Sequence, residues 1–359
     1  MLILHLPLHY VLGAAIWLLL LVLAFVGIVA LWRAGRRRRG ARLLARVGLS
    51  CWMVLAVLTA CELGFAALFS ESDALNFTNV AKRWHAIHVA PQLDALGLRN
   101  RRPLAAMLAP GPRRIAFLGD SFTFGHGVPR IEDRFSDRIE AALEQVHAGR
   151  WQVDNFGVPG NDVTAVVAQA EQLFEQGYRP AVLVYVWQVN DLERLDERTW
   201  TGVRGLAGNR SDCWLITETY FLNWFYYRVL LRSGAVTTYF DDLRAAYAGP
   251  AFARAAEALD RLQAACTAHG AELRLAVFPF VHALGKDYAF RDAHRRLAEH
   301  ARERGVRFVD LEPLLSQHAD EGLIVNPRDT HPNERGHELA AQAMRTQLLD
   351  DLFANDGGR

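Results

Sequence analysis

The sequence predicts an α/β protein in which a central parallel sheet lies between two layers of helices, preceded by two transmembrane helices. Three observations support this prediction. The first 70 of the 359 residues contain two long apolar runs. The rest of the chain alternates short apolar runs, typical of buried strands, with stretches of helical periodicity. Polar residues of the kinds used in catalysis directly follow several of those strands.

Two apolar runs near the N-terminus are each long enough to cross a bilayer. Tyr10–Trp32 contains no charged residue, and Val47–Ser70 contains one, Glu62. At 1.5 Å per residue, either run spans a hydrocarbon core of roughly 30 Å. A buried core helix and a signal peptide are the alternatives. No basic residue precedes the first run, however, and that run is too long for a signal peptide.

The loop between the two runs is strongly basic. It contains seven arginines: Arg33, Arg36, Arg37, Arg38, Arg39, Arg42 and Arg46. The positive-inside rule places this loop in the cytoplasm of a bacterium, with the hairpin in the inner (plasma) membrane. Both termini then face outward, so the soluble domain is periplasmic or otherwise extracytoplasmic. We predict a membrane hairpin over residues 1–70, a connector over 71–112 and an α/β domain over 113–359.

Two features of the second run leave alternatives open. An acidic residue inside a membrane is a functional candidate, but Glu62 can also reach the outer interface, which we favour. The residues Leu58-Thr59-Ala60-Cys61 resemble a bacterial lipobox, and lipidation would make the second run a signal. Apart from Glu62, the residues after Cys61 are apolar and do not form a polar tether, and a complete apolar span precedes the motif, which disfavours lipidation.

Composition and charge exclude several classes of protein. The chain is 51% hydrophobic and 22% charged, with a formal net charge of +1, which excludes a disordered or collagen-like chain. Outside the arginine loop the chain is mildly acidic with scattered arginines, so nucleic-acid binding is not expected. Cys213 and Cys266 lie in the soluble part, where an oxidising compartment would permit a disulfide. No Cys/His spacing fits a structural zinc site.

Strands and helices alternate through the soluble part. The predicted strands are Arg114–Gly119, Trp151–Phe156, Ala181–Trp187, Glu272–Phe280 and Val306–Leu311. The predicted helices are Arg130–Val146, Asp162–Gln176, Phe252–His269, Asp292–Arg304 and Pro332–Leu352. This order indicates βαβ units and a three-layer, flavodoxin-like α/β/α sandwich, whose active site lies beyond the carboxyl ends of the strands.

Four polar clusters are predicted to meet at that edge of the sheet. They are Gly119-Asp120-Ser121, the stretch from Asn155 to Gly160, Asn190-Asp191 and Asp329-Thr330-His331. Each cluster alone is compatible with an ordinary turn or helix cap. Together they supply a hydroxyl, backbone amides, a side-chain amide, an imidazole and a carboxylate. That set is the one needed for acyl transfer through a serine ester.

These clusters resemble the sequence blocks of the SGNH/GDSL hydrolases, and the resemblance runs from the first predicted strand to the C-terminal helix. It implies that Ser121 is the nucleophile and that His331 is the general base. It also implies an oxyanion hole made by the backbone N–H groups of Ser121 and Gly160 and by the side-chain amide of Asn190. Gly157 is the weaker alternative to Gly160.

The chain departs from the family pattern at two positions. The third block is usually Gly-x-Asn-Asp, but Gln188 occupies the glycine position. We expect Gln188 to lie close to Asn190 and to narrow the pocket there. The last block is usually Asp-x-x-His, but position 328 is arginine. Asp329, two residues before His331, is therefore the candidate for the carboxylate that orients the imidazole.

An aromatic-rich stretch over residues 199–249 has no counterpart in this machinery. Its aromatic residues include Trp200, Trp214, Tyr220, Phe221, Trp224, Phe225, Tyr226, Tyr227 and Tyr239. Three polar residues, Glu218, Asn223 and Arg228, interrupt the run and disfavour a third spanning helix. We expect an amphipathic helix over the site or on the membrane interface, with ordinary packing against the sheet as the alternative.

The resemblance implies a serine esterase that cleaves acyl esters, such as O-acetyl groups, on cell-envelope glycans or lipids. Neither a metal nor an organic cofactor is expected, and the lipid bilayer is the expected macromolecular partner. One alternative is an O-acyltransferase that passes the same acyl group to a polysaccharide hydroxyl. Another is a non-catalytic envelope protein on the same scaffold, which the presence of Ser121, Asn190 and His331 disfavours. His85, His88 and His126 are expected to be solvated or in core positions.

Overall fold

The structure, a computed structural model, describes residues 5–35, 39–208, 210–230 and 235–354. Its residues cluster in two units. The anchor unit comprises the described residues within Met1–Ser72, Asn76–Ile87 and Arg210–Ser233. The α/β unit comprises those within Asp73–Leu75, His88–Asn209 and Gly234–Arg359. The sequence-based boundaries at residues 70 and 112 stay predictions.

A five-stranded parallel sheet forms the centre of the α/β unit. Its strands are β1 (Arg113–Gly119), β2 (Trp151–Gly157), β3 (Val182–Gln188), β4 (Glu272–Phe278) and β5 (Arg307–Asp310). They are arranged in the order β2-β1-β3-β4-β5, and each neighbouring pair is parallel. This is the strand order of a flavodoxin-like, doubly wound sheet. The predicted fold class is therefore confirmed, and each predicted strand is present with its ends shifted by at most two residues.

Some of the helices cover the two faces of this sheet, and others form the anchor unit. They are α1 (Leu8–Ala34), α2 (Arg39–Leu68), α3 (Asn79–His88), α4 (Leu104–Leu108), α5 (Ser121–Phe124), α6 (Phe135–Val146), α7 (Val163–Glu175), α8 (Glu197–Gly208), α9 (Trp214–Thr217), α10 (Phe221–Leu230), α11 (Ala235–Ala248), α12 (Pro250–Ala268), α13 (Arg291–Glu303), α14 (Glu312–Gln317), α15 (Glu334–Ala343) and α16 (Asp350–Ala354). Short 3₁₀ turns occupy Ala90–Gln92, Ile131–Asp133, Glu193–Leu195, Val281–Ala283 and Ala319–Glu321, and a π-helical turn occupies Met344–Leu348.

The strand β3 shows why the chain folds into three layers. All seven of its residues are buried. Successive side chains of a strand point to opposite faces. Accordingly, Leu183, Tyr185 and Trp187 enter the core on the side of α7 and α12. Val182, Val184 and Val186 enter the core on the side of α6 and α15. A strand buried on both faces reads as a continuous apolar run, which is why its prediction from sequence succeeded.

The sequence patterns missed or misjudged three parts of the α/β unit. Over residues 199–249 the sequence predicts a single amphipathic helix, whereas the described residues of this stretch include two separate helices of the α/β unit, α8 and α11. The single helix predicted over Pro332–Leu352 is divided into α15, a π-helical turn and α16. A short antiparallel hairpin was not predicted either, and its strands are β6 (Ile324–Asn326) and β7 (Asp329–Pro332). These strands have only three or four residues, too few for a periodic pattern.

The two N-terminal helices are long and apolar enough to cross a membrane. Helix α1 has 27 residues and extends beyond the first predicted run at both ends. Helix α2 has 30 residues; it begins before the second predicted run and ends two residues short of it, at Leu68. Most of their apolar side chains are exposed. Arg33 lies in the last turn of α1, and Arg42 and Arg46 lie in the first turns of α2. The basic cluster therefore includes the ends of both helices, and three of its predicted members, Arg36, Arg37 and Arg38, lie outside the described residues.

The aromatic-rich stretch is divided between the two units. Helices α8 and α11 belong to the α/β unit, whereas α9 and α10 belong to the anchor unit. The cysteines for which a disulfide was left open are also divided. Both are free thiols: Cys213 is exposed in the anchor unit, and Cys266 is buried in the α/β unit.

The close approach of β2 to α5 requires glycine at position 157. A Cβ there would lie 2.3 Å from the backbone nitrogen of Phe124 and 2.6 Å from the carbonyl carbon of Thr123. We expect Gly157→Ala to lower the free energy of unfolding by about 1–3 kcal/mol, because backbone atoms must shift to admit the methyl group. Thermal unfolding of the detergent-solubilised chain measures the change. Gly202→Ala is the matched control, because a Cβ at this helical position meets no atom within 4 Å and should leave stability unchanged or slightly raised. Equal melting temperatures for the two variants would contradict the proposed contact.

Candidate active site

Ser121 lies at the first position of α5, directly after the end of β1. The Asp120 side chain caps this helix by accepting a hydrogen bond from the Phe122 N–H at 2.8 Å. A Cβ at Gly119 would lie 2.3 Å from Thr123 Oγ1 and 2.7 Å from the carbonyl oxygen of Val186. The strand thus turns sharply into the helix, which places the serine hydroxyl at the carboxyl edge of the sheet.

A continuous hydrogen-bond chain joins Ser121, His331 and Asp329. The Ser121 Oγ lies 2.7 Å from His331 Nε2, and His331 Nδ1 lies 2.6 Å from Asp329 Oδ1. A carboxylate only accepts hydrogen bonds, so Nδ1 carries the imidazole proton and Nε2 is left to accept from the serine. Asp329 is fully buried and His331 is 8% exposed. The sequence-predicted serine, histidine and aspartate therefore meet, with the histidine in the tautomer that a general base needs.

The hairpin explains how an aspartate only two residues away reaches the histidine. Asp329 and His331 both lie in the extended strand β7, and residues two apart in a strand point to the same face. Thr330, between them, is less buried than either neighbour. The Asp329 Oδ1 also accepts a hydrogen bond from the backbone N–H of His331 at 3.3 Å. The shortened spacing is thus compensated by strand geometry.

Asn190 follows β3 in a loop whose backbone is fixed by Gln188. The fully buried Gln188 accepts a hydrogen bond through Oε1 from the Asn190 backbone N–H at 2.6 Å. The Gln188 N–H in turn donates to the Asp191 carboxylate at 3.2 Å. The expectation that Gln188 lies close to Asn190 is met, and the side chain supports the loop from inside.

The two glycine candidates for the oxyanion hole differ in what their N–H groups do. The Gly157 N–H donates to Asn155 Oδ1 at 2.9 Å, so this donor is already engaged. Gly160 is exposed and adopts a φ of +81°, a conformation that favours glycine. Its carbonyl oxygen accepts a hydrogen bond from Arg194 at 2.9 Å. Gly160 is therefore the better placed of the two to offer an N–H group to a substrate.

Two buried carboxyl groups lie behind the strand ends. Burial raises the pKa of Asp120 to about 6, against the lowering effects of the Phe122 N–H and of a charged His331. Burial, followed by repulsion from Asp120, raises the pKa of Asp191 well above its usual value. The Tyr185 hydroxyl donates to Asp191 at 2.7 Å and holds it in place. Because the two groups repel each other, they resist being ionised together.

His126 is a site residue that the sequence analysis missed. Its ring lies 4.5 Å from the His331 ring between centroids, and its Nε2 is 3.6 Å from Asp329 Oδ2. The same Nε2 lies 3.0 Å from the carbonyl oxygen of Asp73, so it carries the proton in the neutral ring. Burial is the main cause that lowers the pKa of His126 to about 4, and repulsion from a charged His331 adds to it. The available signal was its position between Gly125 and Gly127 in the loop after the nucleophile.

Buried polar residues from neighbouring elements fix this loop. Arg99, only 1% exposed, donates hydrogen bonds to the carbonyl oxygens of Gly125 and Val128, both at 2.8 Å. The Asn155 side chain donates to the carbonyl oxygen of Thr123 at 2.7 Å. Neither contact is local in sequence, so periodicity and motif spacing could not reveal them.

Three potential metal ligands lie together at this site. Ligand atoms of His126, Asp329 and His331 are all within 4.8 Å of one another. However, His331 already binds both Asp329 and Ser121 through hydrogen bonds. A metal ion there would compete with these two hydrogen bonds.

The buried neutral state of His126 predicts a pH effect on stability. A histidine with a lowered pKa binds its proton in the unfolded chain before the folded one, so stability falls as the pH drops from about 6.5 to about 4. The contribution of His126 is at most roughly 3 kcal/mol. We expect the loss of melting temperature between pH 7.5 and pH 5 to be smaller in His126→Phe, which keeps a ring but cannot titrate. An identical pH response in the two proteins would contradict the assignment.

The chain shows similarity to one protein family and to several solved structures. Residues 117–339 match the model of the GDSL-like lipase/acylhydrolase family. No curated protein shows significant sequence similarity to the chain. Among solved structures, a lipolytic G-D-S-L family protein from Veillonella parvula matches with a TM-score of 0.41 and 16% identity, covering 66% of this chain and 98% of its own. The structure of TesA matches with a TM-score of 0.42 and 14% identity, covering 66% of this chain and 98% of its own. A catalytic mutant of an acetylxylan esterase from Geobacillus stearothermophilus matches with a TM-score of 0.40 and 15% identity, covering 67% of this chain and 95% of its own.

The family match covers both strand ends that carry Ser121 and Asn190 and continues through the hairpin that carries Asp329 and His331. The chain therefore belongs to the GDSL-like lipase/acylhydrolase family and is an ester-hydrolysing enzyme.

Proposed function

We propose that this protein is a membrane-anchored, extracytoplasmic serine esterase that removes short acyl groups from cell-envelope glycans or lipids. The observation that supports this proposal most directly is the hydrogen-bond chain from Ser121 through His331 to the buried Asp329. This geometry supports the assignment of Ser121 as the nucleophile, His331 as the base and Asp329 as the orienting carboxylate.

The proposed reaction begins with proton transfer from Ser121 to His331. As the Ser121 Oγ attacks the ester carbonyl, its proton moves to His331 Nε2, and Asp329 stabilises the imidazolium that forms. The carbonyl oxygen becomes an oxyanion. It is met by the N–H groups of Ser121 and Gly160 and by the side-chain amide of Asn190.

The tetrahedral intermediate then collapses to an acyl-serine. The leaving alcohol takes the proton from His331 Nε2 as the ester bond breaks. A water molecule enters, gives a proton to His331 and attacks the acyl-serine. Release of the carboxylic acid returns the proton to the Ser121 Oγ. Every step uses groups already present in the hydrogen-bond chain and the loops beside it.

The fate of the acyl group depends on which hydroxyl reaches the acyl-serine. Water gives an esterase, whereas a polysaccharide hydroxyl would give an O-acyltransferase from the same intermediate. We place hydrolysis first because the family consists of acylhydrolases. The intact hydrogen-bond chain argues against a binding protein without catalysis, because a buried aspartate–histidine pair has no evident role in simple adhesion.

Substitutions at the site should separate these roles. We expect Ser121→Ala and His331→Ala each to lower kcat by about four orders of magnitude or more, and the double variant to be little worse, because the two residues act as a unit. Asp329→Asn should lower kcat roughly 10⁴-fold, because His331 then loses the tautomer that can accept the serine proton. Asn190→Ala should lower kcat about 10²–10³-fold, as expected for one oxyanion donor. Hydrolysis of 4-nitrophenyl acetate by the purified full chain measures these changes.

Two controls make this experiment decisive. His318→Ala removes a half-buried histidine that contacts Glu321 outside the site, and it should keep full activity. With a glycan acceptor present, an esterase releases acetate and nitrophenol in equal amounts. A deficit of acetate would instead show transfer. Wild-type activity in Ser121→Ala would overturn the proposed mechanism.

The proposed location rests on the anchor unit. Helices α1 and α2 are apolar enough to span a bilayer, and their facing ends carry arginines. Cationic residues are retained on the cytoplasmic side. With that end inside, the N-terminus of α1 and the C-terminus of α2 face outward, and the α/β unit follows on the outside.

Reporter fusions test this topology directly. Alkaline phosphatase, which is active only outside the cytoplasm, should be active when fused after Arg359 and inactive when fused at Gly40. Green fluorescent protein, which becomes fluorescent in the cytoplasm but not after export by the general secretory route, should give the opposite pattern. Phosphatase activity at Gly40 together with silence after Arg359 would reverse the proposed orientation.

A further inference from the structure

Within the anchor unit, a short stretch that we call the aromatic segment (residues 214–225) carries large apolar side chains that are exposed. Trp214 is 70% exposed, Phe225 55% and Leu215 52%. They lie in α9 and α10; α10 packs against the C-terminal part of α2, and α9 packs against α10. Because α1 and α2 are the proposed membrane helices, this exposure has to be judged against lipid as well as water.

The Glu62 side chain, which belongs to α2, forms hydrogen bonds both with the aromatic segment and with α1. Its Oε1 accepts hydrogen bonds from the Tyr220 N–H at 2.7 Å and from the Tyr10 hydroxyl at 2.9 Å. Its Oε2 accepts one from the Phe221 N–H at 2.8 Å. One carboxyl group from α2 thus joins a side chain of α1 to the start of α10, through contacts that span 52 and about 160 residues of sequence.

Aromatic rings reinforce this attachment. Phe65 lies 5.1 Å from Phe221 and 5.3 Å from Trp224 between ring centroids. Tyr10 meets Tyr220 edge-on at 5.0 Å. These distances are typical of favourable aromatic pairs. The segment is therefore held at a fixed height along α2.

That height can be placed relative to the bilayer. A hydrocarbon core of about 30 Å corresponds to about 20 helical residues. Counted from Arg46, the last arginine of α2, the core extends to about residue 66. Glu62 then lies roughly 6 Å inside the outer boundary. An acidic group at this depth is costly unless donors surround it, and the aromatic segment supplies two of its three donors.

From this placement we propose that the aromatic segment is a membrane-interface element whose binding partner is the outer lipid headgroup layer. The proposal rests on the topology proposed above. Tyr220 and Phe221 reach the edge of the hydrocarbon through Glu62, so Trp214, Leu215 and Phe225 enter the headgroup region beside them. Tryptophan and tyrosine are favoured there because their rings are both apolar and polar. Arg228 lies over the Trp224 ring at 4.7 Å and adds a positive charge for anionic lipid.

Native cysteines provide the probes for a test. Cys213 is exposed next to Trp214, and Cys51 is exposed within α2, whereas Cys266 is buried and can remain. One variant keeps Cys213 and replaces Cys51 and Cys61 with serine; the other keeps Cys51 and replaces Cys61 and Cys213. A third carries Val146→Cys, in the α/β unit, without Cys51, Cys61 and Cys213. Each full-length chain is labelled with bimane in nanodiscs containing nitroxide-labelled phosphatidylcholine.

We expect headgroup nitroxide to quench bimane at Cys213 at least twofold, and acyl-chain nitroxide to quench it at Cys51. Bimane at Val146→Cys should be unaffected by either. Adding Glu62→Ala should abolish most of the quenching at Cys213 and leave that at Cys51 intact.

Two results would count against the proposal in different ways. Quenching at Cys51 without quenching at Cys213 would overturn the interface element and leave the topology standing. Absence of quenching at Cys51 would overturn the topology, and the interface element with it.

Discussion

The structure of the site depends on keeping one carboxylate, Asp329, out of water and fully hydrogen-bonded. Asp329 can orient His331 only because β7 is extended, so that both side chains leave the strand on the same face. The hairpin with β6 holds that strand, and the loop after Ser121 closes over it. A Cβ at Gly127 would lie 2.8 Å from Asp329 Oδ2, which shows how closely backbone approaches this carboxylate.

The central sheet positions the two site residues that do not lie on the β6–β7 hairpin, Ser121 and Asn190. Parallel strands buried on both faces are rigid, and their carboxyl ends lie side by side, so Ser121 and Asn190 are positioned by neighbouring strands β1 and β3. The turns after these strands need polar support because their backbone groups leave the sheet ladder. Asp120, Gln188 and Asp191 provide that support from buried positions. Burial raises the pKa of both Asp120 and Asp191, so these carboxyl groups ionise less readily than in water. A charged His331 lowers the pKa of Asp120 and partly offsets this effect.

Sequence alone predicted the parts of the molecule whose signals are local. The strands were recognised because burial on both faces makes them apolar throughout. Ser121, Asn190 and His331 were named as site candidates because they lie in motifs just after strands or just before the last helix, and Asp329 was named from its position near His331. The structure brings Ser121, His331 and Asp329 into hydrogen-bond contact. The helices α8 and α11 were missed because aromatic and charged residues are mixed along them. His126 was missed because its importance comes from ring contact with a residue more than 200 positions away. The partners of Glu62 were equally non-local.

Glu62 and Asp329 show how the same physical requirement can have different consequences. Asp329 is fully buried and Glu62 is half-buried, and each carboxyl group accepts hydrogen bonds from nearby donors. The main donor to Asp329 is an imidazole, whose other nitrogen can take up and release a proton, so this pairing is suited to chemistry. The donors to Glu62 are two backbone N–H groups and a phenol, none of which exchanges a proton readily near neutral pH. An acid in a membrane helix is often part of a proton path, but this donor set favours a fixed structural joint. The chemistry of the partner, more than the burial of the acid, separates a catalytic carboxylate from an anchoring one.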